Sequence, residues 1–129
     1  MTAVTGLHHV QVAAPPGCEA GARAFYGGLL GLPELAKPPL LAKRGGCWFQ
    51  AGATGELHVG VADAFEPAAK AHPALRVASS GALEGLARSL AAAGVEICWA
   101  DDAEIPGQRR FFVSDPWGNR VELVAATGD

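Results

Sequence analysis

The sequence has little cysteine, few charges and no long apolar run, and each shortage removes a class of protein. Its three cysteines, Cys18, Cys47 and Cys98, stand far apart and form no CxxC pair. That spacing offers no disulfide framework and predicts reduced thiols in a cytoplasmic protein. Charged residues make up 18% of the chain, with 10 Lys and Arg against 13 Asp and Glu for a net charge of -3. This leaves no basic face for a phosphate backbone, so no nucleic-acid partner is expected. No apolar run approaches the roughly 18 residues that span a bilayer, and no membrane partner is expected either. Met1 to Gly6 has neither a basic start nor an apolar stretch, so no signal peptide is expected. Half of the 129 residues are hydrophobic, which is a globular composition that fits one compact domain or two small modules sharing a core.

The pattern along the chain runs strand, helix and three strands, and then repeats. Leu7 to Ala13 alternates and predicts a strand, broken by Pro15, Pro16 and Gly17. Glu19 to Leu30 carries Ala22, Phe25, Tyr26, Leu29 and Leu30 at helical spacing, with Gly31 as the stop. Leu40 to Lys43, Cys47 to Gln50 and Glu56 to Val61 read as short strands, followed by a linker from Ala62 to Ala71. The second half gives a strand at Ala74 to Val77, a helix at Ala82 to Ala93 and strands at Glu96 to Ala100, Arg110 to Ser114 and Arg120 to Ala125. Asp115-Pro116-Trp117-Gly118-Asn119 reads as a turn. His9 and His72, Gly31 and Gly94, and Phe49 and Phe112 are each 63 positions apart. The common shift indicates an internal repeat. The expected fold is therefore α+β, with two βαβββ modules at residues 1–65 and 66–129 forming a curved mixed sheet around one shared cleft.

Side chains alternate across a strand, so parity sorts the candidate site residues. His9 and Gln11 oppose Val10 and Val12. Glu56 and His58 oppose Leu57, Val59 and Val61. His72, Ala74 and Arg76 oppose Leu75 and Val77. Arg120 and Glu122 oppose Val121 and Leu123. The aliphatic faces suit packing on helices, and the polar faces would line the cleft. His9, His72 and Glu122 then offer two imidazoles and a carboxylate, a ligand set used for Zn²⁺, Ni²⁺, Mn²⁺ or Fe²⁺ that leaves positions for substrate. With one gap in the turn, His58 falls on Glu122 and becomes the candidate fourth ligand, while Glu56 has the same parity and serves chemically as well. His8 shares the parity of the valines and reads as an edge residue. Glu122 has Arg120 and Arg76 as candidate ion-pair partners. Arg109 and Arg110 read as solvated or as able to reach an anionic substrate.

The stretches Gly6-Leu-His-His-Val10, Ala24-Phe-Tyr-Gly-Gly-Leu-Leu-Gly-Leu32, His72-Pro-Ala-Leu-Arg-Val77 and Phe112-Val-Ser-Asp-Pro-Trp-Gly-Asn-Arg-Val-Glu-Leu123 resemble the vicinal oxygen chelate superfamily over nearly the whole chain. That superfamily includes glyoxalase I, bleomycin-resistance proteins, fosfomycin-resistance transferases, methylmalonyl-CoA epimerase and extradiol dioxygenases. The resemblance implies paired βαβββ modules, a divalent metal held by His9, His72 and Glu122, a fourth ligand at Glu56 or His58, and a homodimer. It implies a metal-dependent enzyme of the lyase or isomerase type acting on a small-molecule substrate, with Glu122 or Glu56 moving a proton. The alternatives it carries are a metal-free sequestration protein of the bleomycin-resistance type and a ring-cleaving dioxygenase. Tyr26 is the only tyrosine and lies on a helix face, which disfavours the last.

Overall fold

The computed structural model describes residues 2–128. They fall into two compact units that divide between Glu66 and Pro67, and each unit is an α+β module with a four-stranded mixed sheet.

In the first unit, alternation builds β1 (His9–Ala14), with Val12 and Ala14 buried and His9 and Gln11 on the opposite face. Helix α1 (Glu19–Ala22) continues directly into a π-helical segment (Arg23–Leu29) that buries Phe25 and Tyr26. The wider winding shows at its end, where the Leu30 N–H reaches the Phe25 carbonyl at 2.9 Å. Gly31, at φ +73°, then turns the chain so that the Leu32 N–H reaches the Tyr26 carbonyl at 2.9 Å. The sheet consists of β2 (Glu34–Leu35), β3 (Cys47–Ala51) and β4 (Gly55–Val61) together with β1. Its order is β1-β4-β3-β2, with β1 and β4 parallel and the other pairs antiparallel.

One expected strand is not a strand. Leu40 to Lys43 falls on a single helical turn, α2 (Pro39–Ala42). Pro39 occupies the first helical turn, where its fixed φ and missing N–H are tolerated, and a four-residue apolar run has no length to establish a period. Leu40 is 83% exposed, so no core demanded a strand there. The module's missing strand is the two-residue β2, which borders β3.

The second unit repeats the order with β5 (Ala74–Arg76), α3 (Ser80–Ala92), β6 (Cys98–Trp99), β7 (Gln108–Ser114) and β8 (Arg120–Ala126). Ser79 caps α3 by accepting the Ala82 N–H at 3.0 Å. Leu83, Ala87 and Leu90 form its buried stripe, and the helix packs on β8. Full burial of each leucine contributes about 2 kcal/mol. The sheet order β5-β8-β7-β6 matches that of the first unit, with β5 and β8 parallel.

The strand registers define the repeat more finely than the fixed shift of 63. Gln11 pairs with His58 as Ala74 pairs with Glu122, and Trp48 pairs with His58 as Phe112 pairs with Glu122. The first strand keeps the shift of 63, whereas both hairpin strands shift by 64. Phe49 therefore corresponds to Val113, not Phe112. Burial agrees, since Phe49 and Val113 are core residues and Phe112 is half-buried. Among the described residues no helix is long and apolar enough to cross a membrane.

Candidate metal centre

In the first unit the polar face of the sheet carries His9 and Gln11 from β1, Glu56 and His58 from β4 and Trp48 from β3. His58 is buried between two rings. The Trp48 indole lies flat on it with centroids 4.1 Å apart and planes at 5°, and His9 stacks on its other face at 4.2 Å and 15°. Its Nε2 is 2.9 Å from Oε1 of Glu56. That contact, above all others, holds the Glu56 carboxyl below the ordinary glutamate value, with His8 and His9 adding smaller attractions. His8 is exposed, as an edge residue is, and its Nδ1 lies 3.1 Å from Nδ1 of His9.

Nitrogen lone pairs lie in the plane of an imidazole. Two nearly parallel rings stacked face to face therefore do not direct both lone pairs at one ion. As placed, His9 and His58 offer one imidazole donor between them, with Glu56 beside it.

In the second unit, the Asp115–Asn119 turn sets the start of β8. Asp115 Oδ1 accepts the N–H groups of Trp117 at 3.0 Å and Asn119 at 2.8 Å, and Oδ2 accepts the Asn119 side-chain amide at 2.8 Å. Gly118 supplies the positive φ of 93°. Two residues past Arg120, Glu122 is buried on the polar face of β8. Its Oε1 lies 2.9 Å from Nε2 of His72, whose Nδ1 lies 2.9 Å from the Lys70 carbonyl. Its Oε2 lies 3.3 Å from the Arg110 guanidinium, which also reaches Glu104 at 3.2 Å. The His72 ring meets Phe112 edge-on at 5.5 Å.

This pair fits a metal ion. A backbone carbonyl on Nδ1 fixes the proton there and presents the Nε2 lone pair outward, the usual support for a ligating histidine. Two donors each about 2.1 Å from an ion and at right angles to it stand about 3 Å apart, which is the separation found between Nε2 and Oε1. Among the described residues no group of three or more His, Cys, Asp or Glu side chains is arranged to hold an ion. Within the first unit the structure brings His9 and Glu56 to His58, and within the second it brings His72 to Glu122.

Arg110, expected to be solvated or to reach an anionic substrate, is a partner of Glu122. Arg120 and Arg76 were its expected substitutes on Glu122, yet Arg120 instead lies over the Phe112 ring at 3.8 Å. The available signal was parity, since Arg110 and Phe112 share a face of β7 and Phe112 is the partner of Glu122. Arg109, on the other face, pairs with Glu84 and lies over Trp99 at 4.3 Å.

Comparisons with known proteins agree with this architecture. The crystal structure of a glyoxalase family protein from Bacillus anthracis superposes with a TM-score of 0.90 at 46% identity, covering 98% of this chain and 99% of that one. Lactoylglutathione lyase from Agrobacterium tumefaciens matches at a TM-score of 0.73 and 19% identity over 96% of each chain. TnmS3, an antibiotic binding protein from Streptomyces sp. CB03234, matches at 0.71 and 23% over 98% of this chain and 100% of its own. No curated protein matches the sequence. The family profile described as Glyoxalase/Bleomycin resistance protein/Dioxygenase superfamily matches residues 6–123, and with that match and the fold the chain belongs to this superfamily.

Proposed function

We propose that this protein is a divalent-metal-dependent enzyme of the lyase or isomerase type, acting on a small oxygen-bearing substrate. The observation that supports it is the His72–Glu122 pair, tied back to the Lys70 carbonyl and presenting nitrogen and oxygen donors 2.9 Å apart. The proposed donor set takes His9 as its second imidazole and Glu56 as its fourth member, because the stacked His58 ring offers no second lone pair beside that of His9. Two imidazoles with carboxylate suit Zn²⁺, Ni²⁺, Mn²⁺ or Fe²⁺. When bound, such an ion supplies Lewis-acid polarisation of a substrate oxygen.

The chain's own side chains supply the remainder. Arg110 holds the second oxygen of Glu122 and fixes the carboxylate's orientation. Glu56, kept ionised by His58, is a carboxylate able to accept a proton from a substrate carbon. Trp48 covers one face of His58 and keeps water from it.

The test is elemental analysis of the full chain after loading with each of the four metals, with turnover of the methylglyoxal–thiol hemithioacetal measured alongside. Metal retained near one ion per chain, together with turnover, is expected. A chain that retains no divalent ion under any loading condition and turns nothing over overturns the reading.

A second reading is metal-free sequestration of a small aromatic compound. It is favoured by the flat Trp48–His58–His9 stack, whose outer ring, His9, is exposed. Undiminished binding of a planar aromatic ligand by the His72→Ala, Glu122→Ala double variant, which keeps the stack, would establish it.

A further inference from the structure

The polar face of the second sheet carries more positive charge than the chain's balance suggests. The protein has a net charge of -3, yet Arg76 from β5, Arg110 from β7 and Arg120 from β8 share this face by strand parity. They stand against two carboxylates, Glu122 and Glu104. Both of those carboxylates are engaged by Arg110, and Glu122 also by His72.

That leaves Arg76 and Arg120, and of the two it is Arg120 that is mounted on a ring. Its guanidinium carbon sits 3.8 Å from the centre of the Phe112 ring. Among the described residues no carboxylate pairs with it. A guanidinium stacked on an aromatic ring has its plane fixed while its N–H edge stays free, the arrangement that serves bidentate recognition of planar oxyanions. The ring that holds it is fixed in turn. Phe112 is the cross-strand partner of Glu122, and the His72 edge and the Arg110 guanidinium, at 5.6 Å, lie against it. Arg120 and Glu122 are two residues apart on one face of β8, hence about 7 Å apart along the strand.

We infer that Arg120, mounted on Phe112, is a specificity-determining residue that binds an oxyanion group of the substrate. The substrate class is then a small oxygen-bearing acid, whose anion lies about one strand repeat from the atoms that Glu122 addresses. The inference rests on the metal-enzyme reading for the identity of the site, but anion binding itself requires neither metal nor turnover. Carboxylate and phosphate share this chemistry, and the two arms of the test separate them.

The experiment is an NMR titration of the full chain, kept metal-free with chelator and at constant ionic strength, with succinate in one arm and inorganic phosphate in the other. Saturable shifts of the Arg120 side-chain and Phe112 ring signals are expected in at least one arm, and that arm names the anion. Arg120→Gln, which removes an exposed side chain and keeps the fold, is expected to weaken binding about tenfold or more. Arg120→Lys keeps the charge without the flat fork and is expected to fall between the two. If neither anion moves these signals, or if Arg120→Gln binds as tightly as the parent, the assignment is wrong. Because the titration omits metal, failure of the metal reading would leave its result intact. Conversely, a metal-loaded, active enzyme whose metal-free form shows no binding at Arg120 would sink the inference alone.

Discussion

The Trp48 indole and the His58 imidazole lie parallel, 4.1 Å apart at 5°, and this contact holds the histidine whose Nε2 engages Glu56. Stacked aromatic pairs contribute about 1 kcal/mol beyond the area they bury. Trp48→Leu keeps an apolar side chain but loses the flat contact. It is expected to destabilise the chain by about 1 kcal/mol in urea unfolding, with the slope unchanged. It also frees the His58 ring to rotate, so the Glu56 carboxyl should titrate closer to the ordinary glutamate value when followed by carbon-detected NMR. An unmoved Glu56 titration would show that the indole does not position the pair.

Gly46 sits at φ +84°, and a Cβ there would stand 2.1 Å from the Val59 carbonyl oxygen. A backbone atom cannot yield as a flexible side chain can, because Val59 is paired with Cys47 across β3 and β4. Gly46→Ala combines a left-handed backbone with this clash, and costs of that kind are about 2–3 kcal/mol or more. Thermal unfolding is expected to show a large loss, while Gly52→Ala, at φ +76° with open space around it, is expected to cost less. Equal losses would assign the effect to φ alone.

Glu19 links α1 to the same loop. Its Oε2 accepts the Gly46 N–H at 2.6 Å, and that hydrogen bond is the first cause of a carboxyl pKa held below the ordinary value. A folded-state pKa lower than the unfolded one means the stabilisation is present above the unfolded value, about 4.3, and fades as pH falls through the folded value. Glu19→Gln is therefore expected to lower stability near neutrality, by on the order of 1 kcal/mol. Parent and variant should converge once the pH lies below the folded-state value of Glu19, where both side chains are neutral. A difference that persists at acid pH would point to packing and not to the charge.

Periodicity made most of the scaffold legible, because the buried aliphatic residues of β1, β4 and β8 each keep to one parity and α3 buries one stripe. The same parity puts His9, His58, His72 and Glu122 on the polar faces. What it could not supply was register. The pairing of Phe112 with Glu122 depends on a five-residue turn closing at Ser114 and Arg120, and only that pairing brings Arg110 onto the carboxylate. Leu40 to Lys43 failed for a different reason, since a four-residue apolar run without a burial partner carries no period. The π-helical winding of Arg23–Leu29 keeps Phe25 and Tyr26 inward, so its apolar spacing alone matches an ordinary helix.

The last prediction concerns His72 and Glu122 as metal donors. Nδ1 of His72 lies 2.9 Å from the Lys70 carbonyl, and its Nε2 lies 2.9 Å from Oε1 of Glu122. Ligating nitrogen and carboxylate oxygen both coordinate through lone pairs. Calorimetric titration of the metal-free chain with Ni²⁺ or Zn²⁺ measures the affinity directly. Glu122→Gln keeps the shape of the side chain but removes its charge, so it should lose about a hundredfold or more in affinity. His72→Ala should match that loss, whereas Arg110→Met, which touches only Oε2, should change affinity less, by about tenfold. Affinity unchanged in both Glu122→Gln and His72→Ala would mean that the ion binds elsewhere.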